Sequence, residues 1–138
     1  MLDLTKFSKI EPVLDKAFAL YNNNELKIKL FRYLLKYQEI YWFDSLEITF
    51  SLLEDHFLKS YKLTTEEKNL ITEEVNYGRY EYFMSLNEIS EAIYLLLNSD
   101  LNKDIFIKIV KHILTAYSCN STDFWEPEKK YMKDLFKV

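Results

Sequence analysis

Residues 25–42 read ELKIKLFRYLLKYQEIYW. Leu26, Leu30, Tyr33, Leu34, Tyr37 and Tyr41 recur at steps of three and four, the spacing that stacks side chains on one face of an α-helix. Ile28, Phe31, Leu35 and Trp42 fill a second face. A helix apolar on two sides needs cover on both, so this segment is expected at the centre of a helical bundle.

The helical period continues on either side. Upstream, a helix over 12–21 opens on Pro12, whose missing N–H has no partner in a first turn anyway. Asn22-Asn23-Asn24 is a stop and restart, and residues 2–10 form an extra turn that docks Leu4, Phe7 and Ile10. Downstream, a third helix starts at Asp44 or Ser45 and reaches Tyr61, with Leu46, Phe50, Leu53, Phe57 and Tyr61 as its stripe. Thr64-Thr65-Glu66-Glu67 is a capping box, in which hydroxyl and carboxylate exchange bonds with each other's backbone amides. It opens a fourth helix to Tyr77, and Gly78 stands where a left-handed C-cap is wanted. Residues 80–84 fit helix and extended chain equally. Ser85-Leu86-Asn87-Glu88 is a second capping box, opening a helix to Leu97. After a turn at 98–102 comes a helix over 103–117, then a loop at 119–124, and a last helix opened by Glu126-Pro127. No repeat, linker or low-complexity tract interrupts the pattern. The expectation is an all-α fold, a single compact bundle of six or seven helices, with residues 1–138 as one domain.

Composition excludes more chemistry than it suggests. A chain of 138 residues with one glycine cannot write a phosphate-cradling loop, and one cysteine, Cys119, allows neither an internal disulfide nor a multi-cysteine zinc site. Of the two histidines, neither His56 nor His112 has a partner at metal-ligand spacing, since Leu53 and Ile109 stand three residues before them. His56 reads as a surface residue beside Glu54 and Asp55, and His112 as a partly buried helix residue. Cys119 reads as a small apolar filler. The pairs Glu73/Glu74 and Glu88/Glu91 fall on polar faces, where carboxylates serve solubility rather than acid–base work. No metal, cofactor or enzymatic activity is expected.

The formal charge is −4, and it is unevenly spread: residues 44–91 carry 11 acids against 4 bases. Only Arg32 and Arg79 are arginines, and there is no basic stripe to displace counterions, so nucleic acid is not an expected partner. Charges at Asp3, Lys6 and Lys9 interrupt any export signal, and the longest uncharged stretch falls short of the roughly 20 residues of a membrane span. A cytoplasmic protein without a membrane partner is expected.

The acidic and aromatic signals coincide in residues 66–83, EEKNLITEEVNYGRYEYF. Glu66, Glu67, Glu73 and Glu74 cluster on one side of a helix, Leu70, Ile71 and Val75 anchor the other, and Tyr77, Tyr80, Glu81 and Tyr82 gather around Gly78. Tyrosine adds contact area with few rotors and keeps a polar tip, which suits an interface. These eight glutamates and tyrosines are the candidate partner-binding residues.

In size, acidity, helicity and Lys/Asn/Tyr/Phe-rich composition the chain resembles the small helical immunity proteins that protect bacteria from their own polymorphic or contact-dependent growth-inhibition toxins. Colicin DNase immunity proteins present a Tyr-Tyr pair in an acidic context. This chain has no such dipeptide, and Tyr80-Glu81-Tyr82 is a loose analogue. The resemblance implies a cytoplasmic inhibitor of one cognate toxin with a basic surface, a nuclease by preference. Alternatives are a helical adaptor or regulator, including a phage-encoded inhibitor of a host defence complex, a helix-turn-helix regulator reading through Lys103, Lys108 and Lys111, and a small hydrolase using His56 or His112.

Overall fold

The computed structural model describes residues 4–41, 43–80, 84–117 and 125–138. A 3-10 turn, Leu4–Lys9, leads into α1 (Glu11–Leu20) and α2 (Asn23–Tyr41). A second 3-10 turn, Asp44–Leu46, precedes α3 (Glu47–Leu58). Then follow α4 (Thr65–Arg79), α5 (Met84–Asn98), α6 (Lys103–Tyr117) and α7 (Trp125–Phe136). The fold is all-α, with no strand among the described residues.

The helix starts have local causes. Asn22 and Glu25 form a reciprocal box at α2, with Glu25 N–H donating to Asn22 Oδ1 at 2.9 Å and Asn22 N–H to Glu25 Oε1 at 3.2 Å. The helix therefore begins two residues before the expected Glu25, and the Asn-x-x-Glu signal was present in the sequence. At α4 the expected Thr64–Glu67 box is present, with both bonds made. At α5 the expected box is not formed. The helix already includes Ser85, whose hydroxyl donates to the Ala116 carbonyl of α6, and Glu88 pairs with His112. Long-range partners took both side chains away from the local motif.

Two helix ends also differ from expectation. α3 stops at Leu58 rather than Tyr61, because Ser60 takes a left-handed conformation (φ 56°) and Tyr61 N–H folds back to the Asp55 carbonyl at 3.0 Å. That is the closure glycine usually supplies. The one glycine is used otherwise. Gly78 lies inside α4, which continues to Arg79, and its φ is not positive. It is needed for close approach: a Cβ at Gly78 would fall 1.9 Å from Ser90 Oγ on α5. Residues 81–83 of the ambiguous 80–84 stretch lie outside the described residues; Tyr80 forms a turn and Met84 begins α5.

α2 is central, as its two-sided pattern requires. Leu26, Leu30, Phe31, Tyr33, Leu34 and Tyr37 are buried, Ile28 and Leu35 half-buried, and the helix touches α3, α5, α6 and α7. Trp42 and the side chain of Tyr41 lie outside the described residues. Phe7 and Ile10 dock into the same core from the N-terminal turn, and α5 and α6 supply the largest helix pair. Against this body α4 packs through α5 and α3, while α7 packs through α1 and α2. They are outer helices, and among the described residues their main packing partners differ.

Candidate functional site

α4 is built from two kinds of position. Ile71, Val75 and Gly78 face inward and are buried. Residues 66, 70, 73, 77 and 80 follow steps of four and three, so at about 100° per residue they form one stripe. Glu66, Leu70, Glu73, Tyr77 and Tyr80 are all exposed. Leu70 is 42%, Tyr77 59% and Tyr80 82% accessible, which is high for large apolar or aromatic side chains. The placement of Leu70 corrects the expectation that it anchors the helix beside Ile71 and Val75. Its spacing from Glu66, Glu73 and Tyr77 was the overlooked signal.

The four glutamates share one half of the helix but divide by role. Glu66 and Glu73 stand in the exposed stripe. Glu67 and Glu74 lie about a quarter turn away, toward α3. Glu67 accepts from Thr64 N–H and from the Tyr61 hydroxyl, both at 2.9 Å. These bonds favour the ionised form, so its pKa lies below the usual carboxylate value, with the Thr64 backbone bond the larger cause. Glu74 accepts from both the N–H and the hydroxyl of Thr49, each at 2.7 Å. Thr49 is buried in the first turn of α3, where backbone donors lack helical partners. Glu74 is thus a cap for a neighbouring helix. Glu81 and Tyr82 lie outside the described residues, so of the eight candidate residues Glu66, Glu73, Tyr77 and Tyr80 form the open surface, and Glu67 and Glu74 support it.

Beside the stripe, α4 and α5 enclose a groove of about 350 Å³. Ile71, Val75 and Leu97 contribute apolar lining, and Asn76, Asn98 and Tyr80 contribute polar lining. At one end Arg79 is fixed by two neighbours on α5. Its Nε donates to Glu91 Oε1 at 2.8 Å, and its guanidinium carbon sits 3.7 Å from the centre of the Tyr94 ring. Glu91 raises the arginine pKa, and the pair adds little net charge to the groove. Glu88 and Glu91, expected on solvated faces, thus tie α5 to its neighbours, Glu91 by an ion pair with Arg79 and Glu88 by a hydrogen bond with His112. The arrangement offers contact area, directed hydrogen bonds and negative potential.

The histidines have structural surroundings. His56 Nδ1 lies 2.8 Å from the Tyr61 carbonyl and its ring meets Phe57 edge-on, so it helps close the end of α3. His112 bonds Glu88 across the α5–α6 pair. Among the described residues no group of three or more His, Cys, Asp or Glu converges as a metal site, and no helix is long and apolar enough to cross a membrane. Cys119 and the rest of 119–124 lie outside the described residues. No protein-family model, curated protein or solved structure matches this chain.

Proposed function

We propose that this chain is a non-enzymatic protein inhibitor that acts in the cytoplasm and neutralises one basic partner, in the manner of an immunity protein against a nuclease toxin. The observation that carries the reading is the exposed stripe Glu66, Leu70, Glu73, Tyr77 and Tyr80, which alternates carboxylates with large side chains that packing leaves uncovered. Opposed potentials speed encounter, and tyrosines desolvated at the centre of a contact slow dissociation. A nuclease must carry a cationic cleft to hold phosphates, and carboxylates at comparable spacing occupy such a cleft without being cleaved. No cofactor takes part.

The test uses the product of the gene beside this one as the partner. The purified chain is titrated into that product while nuclease activity is measured. Stoichiometric loss of activity is expected, and Tyr77→Ala with Tyr80→Ala is expected to weaken inhibition by about 30-fold or more, the effect of losing an aromatic hot spot. Full inhibition by the double variant contradicts the assignment of this surface.

A further inference from the structure

We propose that a groove where α2, α3 and α5 meet binds a small organic monocarboxylate with a compact apolar body, its carboxylate on Lys27 and its body against Phe57 and Leu96. No residue of α4 lines this groove, so it stands apart from the acidic stripe and serves whether or not that stripe meets a partner.

The groove encloses about 390 Å³, within the roughly 300–1,000 Å³ of small-molecule sites. Its apolar wall is Ile28 from α2, Phe57 from α3, and Leu96 and Leu97 from α5. Leu96 is buried and the others are half-buried, so the apolar surface lies deep. The wall is fixed before any ligand arrives. Phe57 stacks on the core ring of Phe31, with centroids 5.2 Å apart. His56 is held edge-on against Phe57 while its Nδ1 bonds the Tyr61 carbonyl. A preformed wall loses little freedom on binding.

The sign of the ligand's charge follows from Lys27. It lines the groove half-buried, and no ion pair or hydrogen bond reaches its ammonium among the described residues. Its half-buried counterparts are occupied: Lys36 by Glu128, Arg79 by Glu91 and Lys29 by the Leu135 carbonyl. No acid lines the groove, although acids outnumber bases 22 to 18 in the chain. An ammonium beside apolar surface attracts an anion more strongly than one in open water, because the local dielectric is lower. The Asn24 amide and the Ser60 hydroxyl stand exposed at the rim and offer further donors for a carboxylate. One ammonium balances one negative charge, which selects a monocarboxylate over a phosphate ester.

The full chain is titrated with 3-phenylpropionate, 4-methylpentanoate and indole-3-acetate, and backbone amide shifts are followed by NMR. At least one acid is expected to give saturable shifts at Lys27, His56 and Leu97 and to raise the melting temperature. The neutral amide of that acid is expected to bind about tenfold more weakly, and Lys27→Gln to weaken the acid by a similar factor while leaving the amide unchanged, the loss of one charge-assisted hydrogen bond. Asn24→Trp, which fills the groove from its exposed α2 rim, is expected to abolish the shifts with both; if it melts early, Lys27→Gln decides. Equal binding of acid and amide, or full binding by Lys27→Gln, overturns the carboxylate assignment. Shifts confined to Thr72, Asn76 and Arg79, or no saturable shift with any of the three acids, overturn the site. None of these outcomes bears on the α4 stripe, which the partner titration tests separately.

Discussion

α4 and α7 are both outer amphipathic helices, yet their charged side chains are used in opposite ways. In α7 the decisive carboxylate is turned inward. Glu128 is 2% exposed and accepts from the Tyr33 hydroxyl at 2.6 Å and from Lys36 Nζ at 3.0 Å, both on α2. Lys36 also lies 3.6 Å from the centre of the Tyr131 ring, and burial pushes the Tyr131 phenol above its usual pKa. Lys29 and the Tyr21 hydroxyl donate to the Leu135 and Phe136 carbonyls, closing the far end of α7. In α4 the inward carboxylates, Glu67 and Glu74, cap helix ends, while the remaining stripe has no partner within the described residues. A helix whose one buried carboxylate and last carbonyls are bonded to its neighbours is anchored by its polar groups. A helix that keeps acids and tyrosines in reserve has surface available for another molecule.

The contrast is easiest to break at α7. Glu128→Ala should destabilise by about 3 kcal/mol, because it removes a carboxylate that accepts two hydrogen bonds, from Tyr33 and Lys36, in a site closed to water. Denaturant unfolding checks this, and a change below about 1 kcal/mol would mean the clasp contributes little. Next is Glu74→Ala, expected to cost about 2 kcal/mol by leaving the Thr49 hydroxyl and amide unsatisfied. If instead it proves silent in unfolding, Glu74 belongs with the open stripe.

A smaller effect sharpens how α4 is seated. Gly78→Ala should cost about 1 kcal/mol net, the strain against Ser90 being partly offset by better helix propensity. Ser90→Gly in the same chain removes the clash and should restore stability, whereas Ser90→Ala alone should be nearly neutral because the Ser90 hydroxyl is buried without a hydrogen-bond partner among the described residues. The smallest effect is acid fraying at the start of α4. Glu67 has a lowered folded pKa, so its contribution is complete above the ordinary carboxylate pKa and disappears as pH falls through the folded value. Protection of the amides of residues 65–68, taken relative to the intrinsic exchange rate at each pH, should therefore fall below about pH 4.5, the unperturbed carboxylate value, and Glu67→Gln should remove most of that dependence.

Much of the fold was legible because its causes are local. The apolar period of α2, the Thr64–Glu67 box and the Pro127 start of α7 each lie within a few residues of what they determine. What escaped depends on residues distant in the chain. Nothing near Ser85 announces the Ala116 carbonyl, and nothing near Glu74 announces Thr49. Gly78 was legible as special but not as a contact point, because a lone glycine before a turn satisfies a left-handed cap and a close helix crossing equally well. In the candidate site the acidic cluster was visible from spacing, while its division into supporting and open members required knowing which side of α4 meets α3.

The most direct measurement compares affinity and melting for Glu66→Lys/Glu73→Lys against the partner from the neighbouring gene. The account predicts a melting temperature within a degree or so of the parent chain, since exposed charges far from special features change stability by less than about 0.5 kcal/mol. It also predicts binding weakened by about 100-fold at low salt, with the difference shrinking as salt rises. Undiminished binding, or a variant that melts early, would contradict the claim that this stripe is held in reserve for a cationic partner.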